Sequence, residues 1–453
     1  MSKSSIVVIA LLISMAVGGA LHLGQQPIDI ALTAGITLFV AILWITEALP
    51  IPATSLIPFA AFPLTGVLTH GEAASSLGSH VIILLMGAFM LSKALEKAHL
   101  HQRFAVYMLR LTGSGSPLKL LLGFMLTTAL LSMWISNTAT VLMILPMALA
   151  IIEAMKSKRF GVMLILGVAY AASVGGVGTP IGTPPNIIFM SVYEETQGVE
   201  YSFIDWMKTG IPIVFFALPL MAIWLSRGLT EVGKIDLPEP GTWSKAEKRV
   251  LMVFGTVALA WVLRPLWTKW LGLTTVSDST IAIAGVVAMF VIHNGEGKQG
   301  RLLDWKTAND IPWGMLLLFA GGICIAKAFI ASGLSVLMGE WLTGLSTLPL
   351  LLLILSICLF VTFLTEITSN TATATLLMPI LAAAALAVNV DPKLLMIPAA
   401  ISASCAFMLP VATAPNAIAF ATEKFAIKTM AREGVVLNLI VAGVVTLVCY
   451  VTL

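Results

Sequence analysis

Charged residues are scarce in this chain. Asp, Glu, Lys and Arg together make up 10% of its 453 residues, while 58% are hydrophobic and the mean hydropathy is +1.00. Soluble domains carry roughly 25% charged residues, so this composition excludes an ordinary soluble fold and predicts a polytopic protein of the lipid bilayer. The net charge of +3 is small, and we expect no nucleic acid partner.

Cysteine and histidine are also rare, and neither is arranged for metal chemistry. The four cysteines lie in apolar runs without paired spacing, which predicts inert buried thiols. The six histidines lie at the edges of apolar segments. Because the sequence has no GxSxG or HExxH motif, it does not predict an intramembrane enzyme, and we expect no catalytic residue and no organic cofactor.

A polar run interrupts an otherwise apolar segment twice. Residues 132–141 read SMWISNTATV and residues 365–375 read TEITSNTATAT, so each half of the chain contains a Ser-Asn-Thr run. The first surrounding segment, 118–152, would form a helix of about 50 Å, far longer than a membrane core of about 30 Å. We therefore predict that this segment and its counterpart, 350–388, fold back as re-entrant hairpins with the Ser-Asn-Thr runs at their tips.

Each hairpin precedes a helix that Gly and Pro residues must interrupt. The breaks read GGVGTPIGTPPN at residues 175–186 and PVATAPN at residues 410–416. Unwound backbone within a membrane is tolerated only where it is buried in protein or lines a cavity. The chain therefore has a hairpin tip and a broken helix in corresponding positions of two halves.

Basic loops orient these elements, because Lys and Arg mark cytoplasmic loops. The first hairpin is flanked by Lys119 on one side and by Lys156, Lys158 and Arg159 on the other, so both of its ends are predicted to be cytoplasmic. The second hairpin has no Lys or Arg close before it and is predicted to begin outside. The two copies then form an inverted-topology repeat, in which secondary transporters place their sites near the membrane midplane.

We predict an all-α polytopic membrane protein with about 11 transmembrane helices plus the two re-entrant hairpins, with the N-terminus cytoplasmic and the C-terminus external. A basic surface helix is predicted over 93–110 and a polar linker over 227–249. The predicted spans are 6–23, 30–45, 51–68, 81–95, 160–177, 211–225, 250–267, 280–292, 311–330, 394–408 and 434–453. The predicted parts are a first scaffold part, 1–116, a first transport part, 117–232, the linker with a second scaffold part, 233–346, and a second transport part, 347–453.

Helix ends supply the chemistry at the tips and breaks. Helices that begin near these points present free N–H groups, and each helix end carries roughly half a positive charge. Four such ends together would attract an anion; they begin after Asn137, Asn370, Asn186 and Asn416. Carbonyl groups freed from the helical ladder would offer oxygen to a hard cation; they belong to Gly182, Thr183, Ala412 and Thr413.

At these residues the chain resembles the divalent anion/sodium symporter family, the dicarboxylate and citrate carriers. The resemblance extends over essentially the whole length and rests on the two SNT tips, each followed by a broken helix that ends in TPPN at 183–186 or TAPN at 413–416. It implies a first sodium site at Ser132, Ser136, Asn137 and Gly182 and a second at Thr365, Thr368, Asn370 and Ala412. It implies that the carboxylates are bound by Asn137, Thr138, Asn370, Thr371, Thr183 and Thr413.

The resemblance further implies a secondary active transporter of the cell (inner) membrane that imports C4-dicarboxylates such as succinate, fumarate or malate with at least two sodium ions. Family members resemble homodimers in which the hairpins move as an elevator against a dimerising scaffold. Two alternatives stay open: a sodium-independent dicarboxylate exchanger, and a carrier of citrate or another divalent anion. An ion channel fits inverted hairpins less well than a carrier does.

Three charged residues beside these segments are interpreted as structural. Glu366 adjoins the second tip, and although an intramembrane carboxylate is a functional candidate by default, we predict that it holds the hairpin through hydrogen bonds. Lys93 and Lys327 align with each other between the two halves and are predicted to brace the repeats or extend to the interface. A lone hydroxyl such as that of Thr127 is predicted to bond to a carbonyl one turn back.

Overall fold

The computed structural model of the chain describes residues 2–453 apart from 101–102, 105, 108–109, 111–115, 156, 230–240, 274, 296–299, 342–347 and 388. Within the described residues the chain forms 22 helices, and β-pairing there is an isolated bridge between His293 and Arg301. The predicted all-α polytopic fold is confirmed. The helices are α1 (Lys3–Leu23), α2 (Ile28–Thr46), α3 (Ile51–Thr54), α4 (Ile57–Thr65), α5 (His70–Leu77), α6 (His80–Lys97), α7 (Pro117–Ser132), α8 (Asn137–Met155), α9 (Lys158–Gly176), α10 (Pro184–Gln197), α11 (Phe203–Ser226), α12 (Lys245–Val262), α13 (Arg264–Leu271), α14 (Asp278–Val291), α15 (Trp305–Asn309), α16 (Trp313–Ser332), α17 (Leu334–Trp341), α18 (Leu350–Thr365), α19 (Asn370–Ala387), α20 (Lys393–Ala403), α21 (Ala414–Phe420) and α22 (Ile427–Thr452).

Within the described residues eight helical segments, one of which consists of α5 and α6, are long and apolar enough to cross a membrane, or nine if one bent pair counts as a span. Seven of the eight cover predicted spans, and the eighth, α19, is an arm of the second hairpin. The spans predicted at 51–68, 280–292 and 394–408 correspond to shorter apolar helices. The chain is therefore a multi-pass membrane protein.

Two predicted spans are not single straight helices. The segment 250–267 is bent by 77° between α12 and α13, because a proline in the first turn of α13 has no N–H to donate to the helical ladder. Arg264, at the bend, forms ion pairs with Glu200 and Asp278. The segment 51–68 forms the short helices α3 and α4, each with a proline in its first turn.

Other predicted elements differ in extent. The helix predicted over 394–408 ends at Ala403, and the last helix begins at Ile427 rather than at residue 434. The surface helix predicted over 93–110 and the linker predicted over 227–249 lie partly outside the described residues.

The two hairpins repeat each other closely. The outer arms α7 and α18 begin at residues 117 and 350 and end at 132 and 365, while the inner arms α8 and α19 begin at 137 and 370. Both ends of the outer arm and the start of the inner arm are therefore separated from their counterparts by the same offset that relates the two Ser-Asn-Thr runs, as the sequence repeat predicts. The broken helices follow as α9 with α10 and as α20 with α21. The predicted hairpins and breaks are confirmed.

The two repeats exchange contacts at the centre of the molecule. The second half of the first broken helix, α10, packs against α19, the inner arm of the second hairpin. Likewise α21, from the second broken helix, packs against α8, the inner arm of the first hairpin. This exchange brings both tips and both breaks together although the two halves are far apart in sequence.

Candidate functional site

Both hairpin tips and both breaks line one cavity of about 660 Å³. All six residues predicted to bind carboxylates lie in its wall, namely Asn137, Thr138, Thr183, Asn370, Thr371 and Thr413. Of the remaining residues predicted for the cation sites, Ser136, Gly182 and Ala412 line the cavity, whereas Ser132, Thr365 and Thr368 do not. Ser132 and Thr365 are fully buried, and their hydroxyls contact the asparagines of the wall.

Four helices begin at the wall of this cavity. Asn137 and Asn370 are the first residues of α8 and α19, and Thr183 and Thr413 are the N-caps of α10 and α21. Each helix N-terminus carries roughly half a positive charge, which favours an anion in the cavity. Neither tip and neither break contains Lys or Arg, so these segments contribute partial charges and no formal positive charge.

Three oxygen atoms surround the end of the Asn137 side chain. Ser132 Oγ lies 2.6 Å from its terminal amide atom, and the carbonyl oxygens of Ala172 and Gly182 lie 3.2 Å from it. When the amide nitrogen occupies this place it donates to these oxygens. When the amide oxygen occupies it, four oxygens meet, which is the type of ligand set that a hard cation takes.

Glycine is required at positions 176 and 182, where the unwound backbone lies against the Asn137 side chain. A Cβ atom at Gly182 would lie 2.4 Å from the Gly176 carbonyl oxygen, and a Cβ atom at Gly176 would lie 2.8 Å from Asn137 Oδ1. These separations are too short for carbon and oxygen to coexist. Any side chain at either position would therefore displace the unwound backbone from Asn137.

The second hairpin has a similar oxygen group. Thr365 Oγ1 lies 2.7 Å from Asn370 Oδ1 and 2.9 Å from the Ala403 carbonyl oxygen. Thr368 is not drawn into this group, because its hydroxyl donates to a carbonyl one turn back at 2.8 Å and lies 2.6 Å from Thr373 Oγ1. Thr365 therefore links Asn370 to the Ala403 carbonyl as Ser132 links Asn137 to the Ala172 carbonyl.

Two buried asparagines fasten the breaks, a role that sequence reasoning missed. Asn186 Nδ2 donates to the carbonyls of Gly176 and Thr179 at 3.0 and 2.8 Å, and Asn416 Nδ2 donates to those of Ala406 and Leu409 at 3.0 Å each. Each amide thus satisfies two carbonyls of its unwound segment. The sequence signal for this role was the asparagine that ends both TPPN and TAPN.

A hydroxyl contact joins the two breaks to each other, since the Thr183 and Ser404 hydroxyls lie 3.2 Å apart.

Glu366 holds the second break, which confirms its structural interpretation. Its carboxylate is buried and accepts hydrogen bonds from the backbone N–H groups of Phe407, Met408 and Leu409 at 2.7, 2.9 and 3.1 Å. It also accepts one from Asn438 Nδ2 at 2.8 Å. Four donors therefore converge on this carboxylate, which ties the tip of the second hairpin to the unwound segment and to α22.

Charged residues of α6 and of the loop before α16 also line the cavity. Lys93 Nζ lies 3.1 Å from Glu96 and 3.2 Å from Asp310. Sequence reasoning predicted a bracing role for Lys93, which these ion pairs confirm, but it did not single out Glu96 or Asp310. The positive-inside rule predicts that this edge is the cytoplasmic one, because α6 leads into the basic stretch predicted over 93–110.

A second set of ion pairs lies at the opposite, predicted external edge. His80 Nε2 lies 3.1 Å from Glu194, and Lys327 Nζ lies 3.8 Å from Glu195 and donates to Ser75 Oγ at 2.6 Å. Lys327 thus joins α16 to both α5 and α10, which confirms its bracing role.

The lone Thr127 hydroxyl donates to the Gly123 carbonyl, one turn back, as predicted.

Two repeats of a re-entrant hairpin and a broken helix, meeting at one cavity in a multi-pass membrane protein, define a membrane transporter rather than an enzyme. Comparison with known proteins agrees with this class. The family described as "Citrate transporter" matches residues 41–395, and the chain belongs to this family.

Curated relatives extend over most of the chain. The sodium-dependent dicarboxylate transporter SdcS of Staphylococcus saprophyticus is 43% identical over 439 residues, which cover 92% of this chain and 84% of that protein. SdcS of Staphylococcus aureus (strain bovine RF122 / ET3-1) is 42% identical over 454 residues, covering 95% and 87%. These relatives confirm the resemblance seen at the Ser-Asn-Thr tips.

One solved structure is similar in fold. The crystal structure of the YdaH transporter of Alcanivorax borkumensis, described as having an unusual topology, matches with a TM-score of 0.57 and covers 86% of this chain and 87% of that one. Its sequence identity is 16%, so the likeness supports the transporter fold alone.

Proposed function

We propose that this chain imports C4-dicarboxylates such as succinate, fumarate and malate together with sodium. The observation that carries the proposal is the meeting, at one cavity, of four helix N-termini and two similar oxygen groups around Asn137 and Asn370. The relatives named as sodium-dependent dicarboxylate transporters support it. One carboxylate is bound by Asn137, Thr138 and Thr183, and the other by Asn370, Thr371 and Thr413.

Charge balance is the reason for including sodium. A dicarboxylate near pH 7 carries two negative charges, and helix ends supply partial charges without net charge. Burying a bare dianion is costly unless cations accompany it. Two sodium ions would supply that charge, one held by Ser132, Ser136, Asn137 and Gly182 and the other by Thr365, Thr368, Asn370 and Ala412. Thr368 would join the second set by turning its hydroxyl away from the Leu364 carbonyl to which it now donates. The oxygen groups fit this role, since oxygen is the ligand that hard cations take.

Thermodynamic linkage then relates the two solutes. If bound sodium raises the affinity for the dicarboxylate, the dicarboxylate raises the affinity for sodium by the same factor. The bound form is the dianion. Acidification through the second pKa of succinate therefore raises the apparent KM expressed in total succinate.

The transport mechanism proposed is an elevator, in which 117–232 and 347–453 move against a scaffold of 1–116 and 233–346. The ion pairs His80–Glu194 and Lys327–Glu195 join scaffold helices to α10 of the moving part at the external edge. The cavity includes the scaffold residue Lys93 at the cytoplasmic edge. The cavity thus reaches the cytoplasmic edge, while ion pairs join the two parts at the external edge, and this difference supports an inward-facing state. Movement to the outward-facing state must break the external pairs.

The same proposal includes a homodimer in the inner membrane with a cytoplasmic N-terminus and an external C-terminus. The family resemblance supports dimerisation through the scaffold. Single-molecule mass measurement of the purified protein in lipid nanodiscs tests the dimer, and protease protection of tags at the two termini tests the orientation.

Uptake of labelled succinate into proteoliposomes tests the proposal directly. We expect uptake with an inward sodium gradient and none when potassium or choline replaces sodium. If uptake without sodium required dicarboxylate inside the vesicle, the chain would be an exchanger instead. Because the matching family is described by citrate, unlabelled citrate is included as a competitor. Stronger competition by citrate than by unlabelled succinate would make a citrate carrier the better assignment.

A further inference from the structure

A second polar cavity, of about 460 Å³, lies at the predicted cytoplasmic ends of α9, α11 and α22, and it shares no lining residue with the substrate cavity. Three arginines and one glutamate supply its charged groups. Its wall consists of Arg159, Val162, Met163, Arg227, Thr429, Arg432 and Glu433.

The charges of this cavity do not cancel. Arg227 Nη2 lies 2.7 Å from Glu433, and the Arg227 guanidinium stacks on Trp224 with 3.6 Å to the ring centroid. Arg159 donates to two backbone carbonyls, at 2.9 and 3.3 Å, which carry no formal charge. Arg432 is exposed. Within the described part of the chain neither Arg159 nor Arg432 has a carboxylate in ion-pair range, so two positive charges are left for an anion.

Two helix N-termini reinforce this positive charge. Arg159 lies in the first turn of α9, and Thr429 lies in the first turn of α22. The N-cap of α22, Ala426, provides no side-chain hydrogen bond to that 26-residue helix. Arginine beside free helix N–H groups is a recurrent way of binding the oxygens of a phosphate group.

The surroundings indicate where such a phosphate comes from. On α11 the exposed apolar residues Phe216, Leu220 and Ile223 are spaced by four and three positions and lead to Arg227. On α22 the exposed Leu439 follows Arg432 by seven positions. These spacings place each arginine on the same helix face as the apolar residues. Since α11 and α22 pack together, two lipid-exposed apolar faces end at the arginine cavity.

We propose that this arginine cavity binds the phosphate group of an anionic phospholipid in the cytoplasmic leaflet, with the acyl chains along the exposed faces of α11 and α22. Basic pockets between transmembrane helices on the cytoplasmic side are suited to anionic headgroups. The site lies in the part proposed to move during transport, but the binding itself does not depend on the transported substrate.

Lipid binding to the full-length protein tests the proposal. Wild type is compared with Arg159→Gln/Arg432→Gln in nanodiscs of phosphatidylcholine that contain increasing fractions of phosphatidylglycerol, and bound phosphatidylglycerol is counted by native mass spectrometry. We expect about thirtyfold weaker binding in the double variant, or roughly 2 kcal/mol, about 1 kcal/mol for each arginine near a membrane surface. Both arginines have exposed side chains, so the variant keeps its fold, which its thermal transition checks.

The matched control is Lys248→Gln, which removes an exposed positive charge from α12 outside the cavity and is expected to bind the lipid as wild type does. Equal binding by wild type and the double variant would overturn the proposal. If inorganic phosphate displaced the lipid from wild type, and the double variant bound neither phosphate nor lipid, the lipid assignment would be overturned in favour of a site for soluble phosphate. Displacement of the lipid by succinate would overturn the separation from the substrate.

Discussion

Substitutions of Glu366 distinguish a structural role of its carboxylate from a role in ion coupling. In Glu366→Ala the backbone N–H groups of Phe407, Met408 and Leu409 lose their acceptor within buried surroundings. A buried donor left unpaired costs about 1–3 kcal/mol, so three of them cost about 3–9 kcal/mol. Because folded proteins are stable by only about 5–15 kcal/mol, we expect little folded protein from this variant.

Glu366→Gln is the more informative change because it keeps the shape of the side chain. In wild type, Oε1 accepts from Phe407, Met408 and Asn438, and Oε2 accepts from the Leu409 N–H. In the variant the amide oxygen can take the place of Oε1, but the amide nitrogen then faces the Leu409 N–H and cannot accept from it. One hydrogen bond to a charged acceptor is lost and the other three weaken. At about 1.5–3 kcal/mol for each bond to a charged group, we expect a loss of roughly 2–4 kcal/mol.

The assay compares thermal unfolding of the purified variant with its sodium-dependent succinate uptake. We expect a lowered unfolding temperature and, in the protein that stays folded, an unchanged sodium dependence. Glu153→Gln, at an exposed position of α8, is the control and is expected to unfold as wild type does. An unaltered unfolding temperature together with a changed sodium or pH dependence would refute the structural role of Glu366.

Three further outcomes are expected. Asn137→Ala and Asn370→Ala each abolish uptake in a monodisperse protein, because each removes hydrogen bonds of about 1–3 kcal/mol within the site; near-normal uptake by either variant would exclude that asparagine. Single cysteines at Ser116 and Leu348, before the two hairpins, react with an impermeant maleimide from opposite faces, and same-face labelling would exclude the inverted repeat. Glu195→Gln weakens an external ion pair worth about 0.2–1 kcal/mol, which makes the inward-facing state less stable. Cytoplasmic labelling of a cysteine placed in the cavity is therefore lowered by at most about fivefold, and increased labelling would contradict the inward-facing assignment.

The sequence alone was sufficient for features that depend on local chemistry. Membrane thickness limits the length of an apolar helix, so segment 118–152 had to fold back, and Pro and Gly had to interrupt the helices near 182 and 412. The recurrence of the Ser-Asn-Thr run then related the two hairpins, and the structure places the starts of their arms at the same offset as the two runs. The predicted carboxylate-binding residues also came from this repeat and from the family resemblance.

Only the tertiary structure decided which distant groups meet. Ser132 bonds to the carbonyl of a residue 40 positions away, the Glu366 carboxylate holds backbone N–H groups 41–43 positions away, and Thr183 reaches a hydroxyl 221 positions away. Backbone carbonyls and N–H groups are present at every residue, so no sequence pattern marks the ones that become partners. The ion pairs of Arg264 and the arginine cavity likewise depend on side chains from separate parts of the chain, which only the packing of the helices brings together.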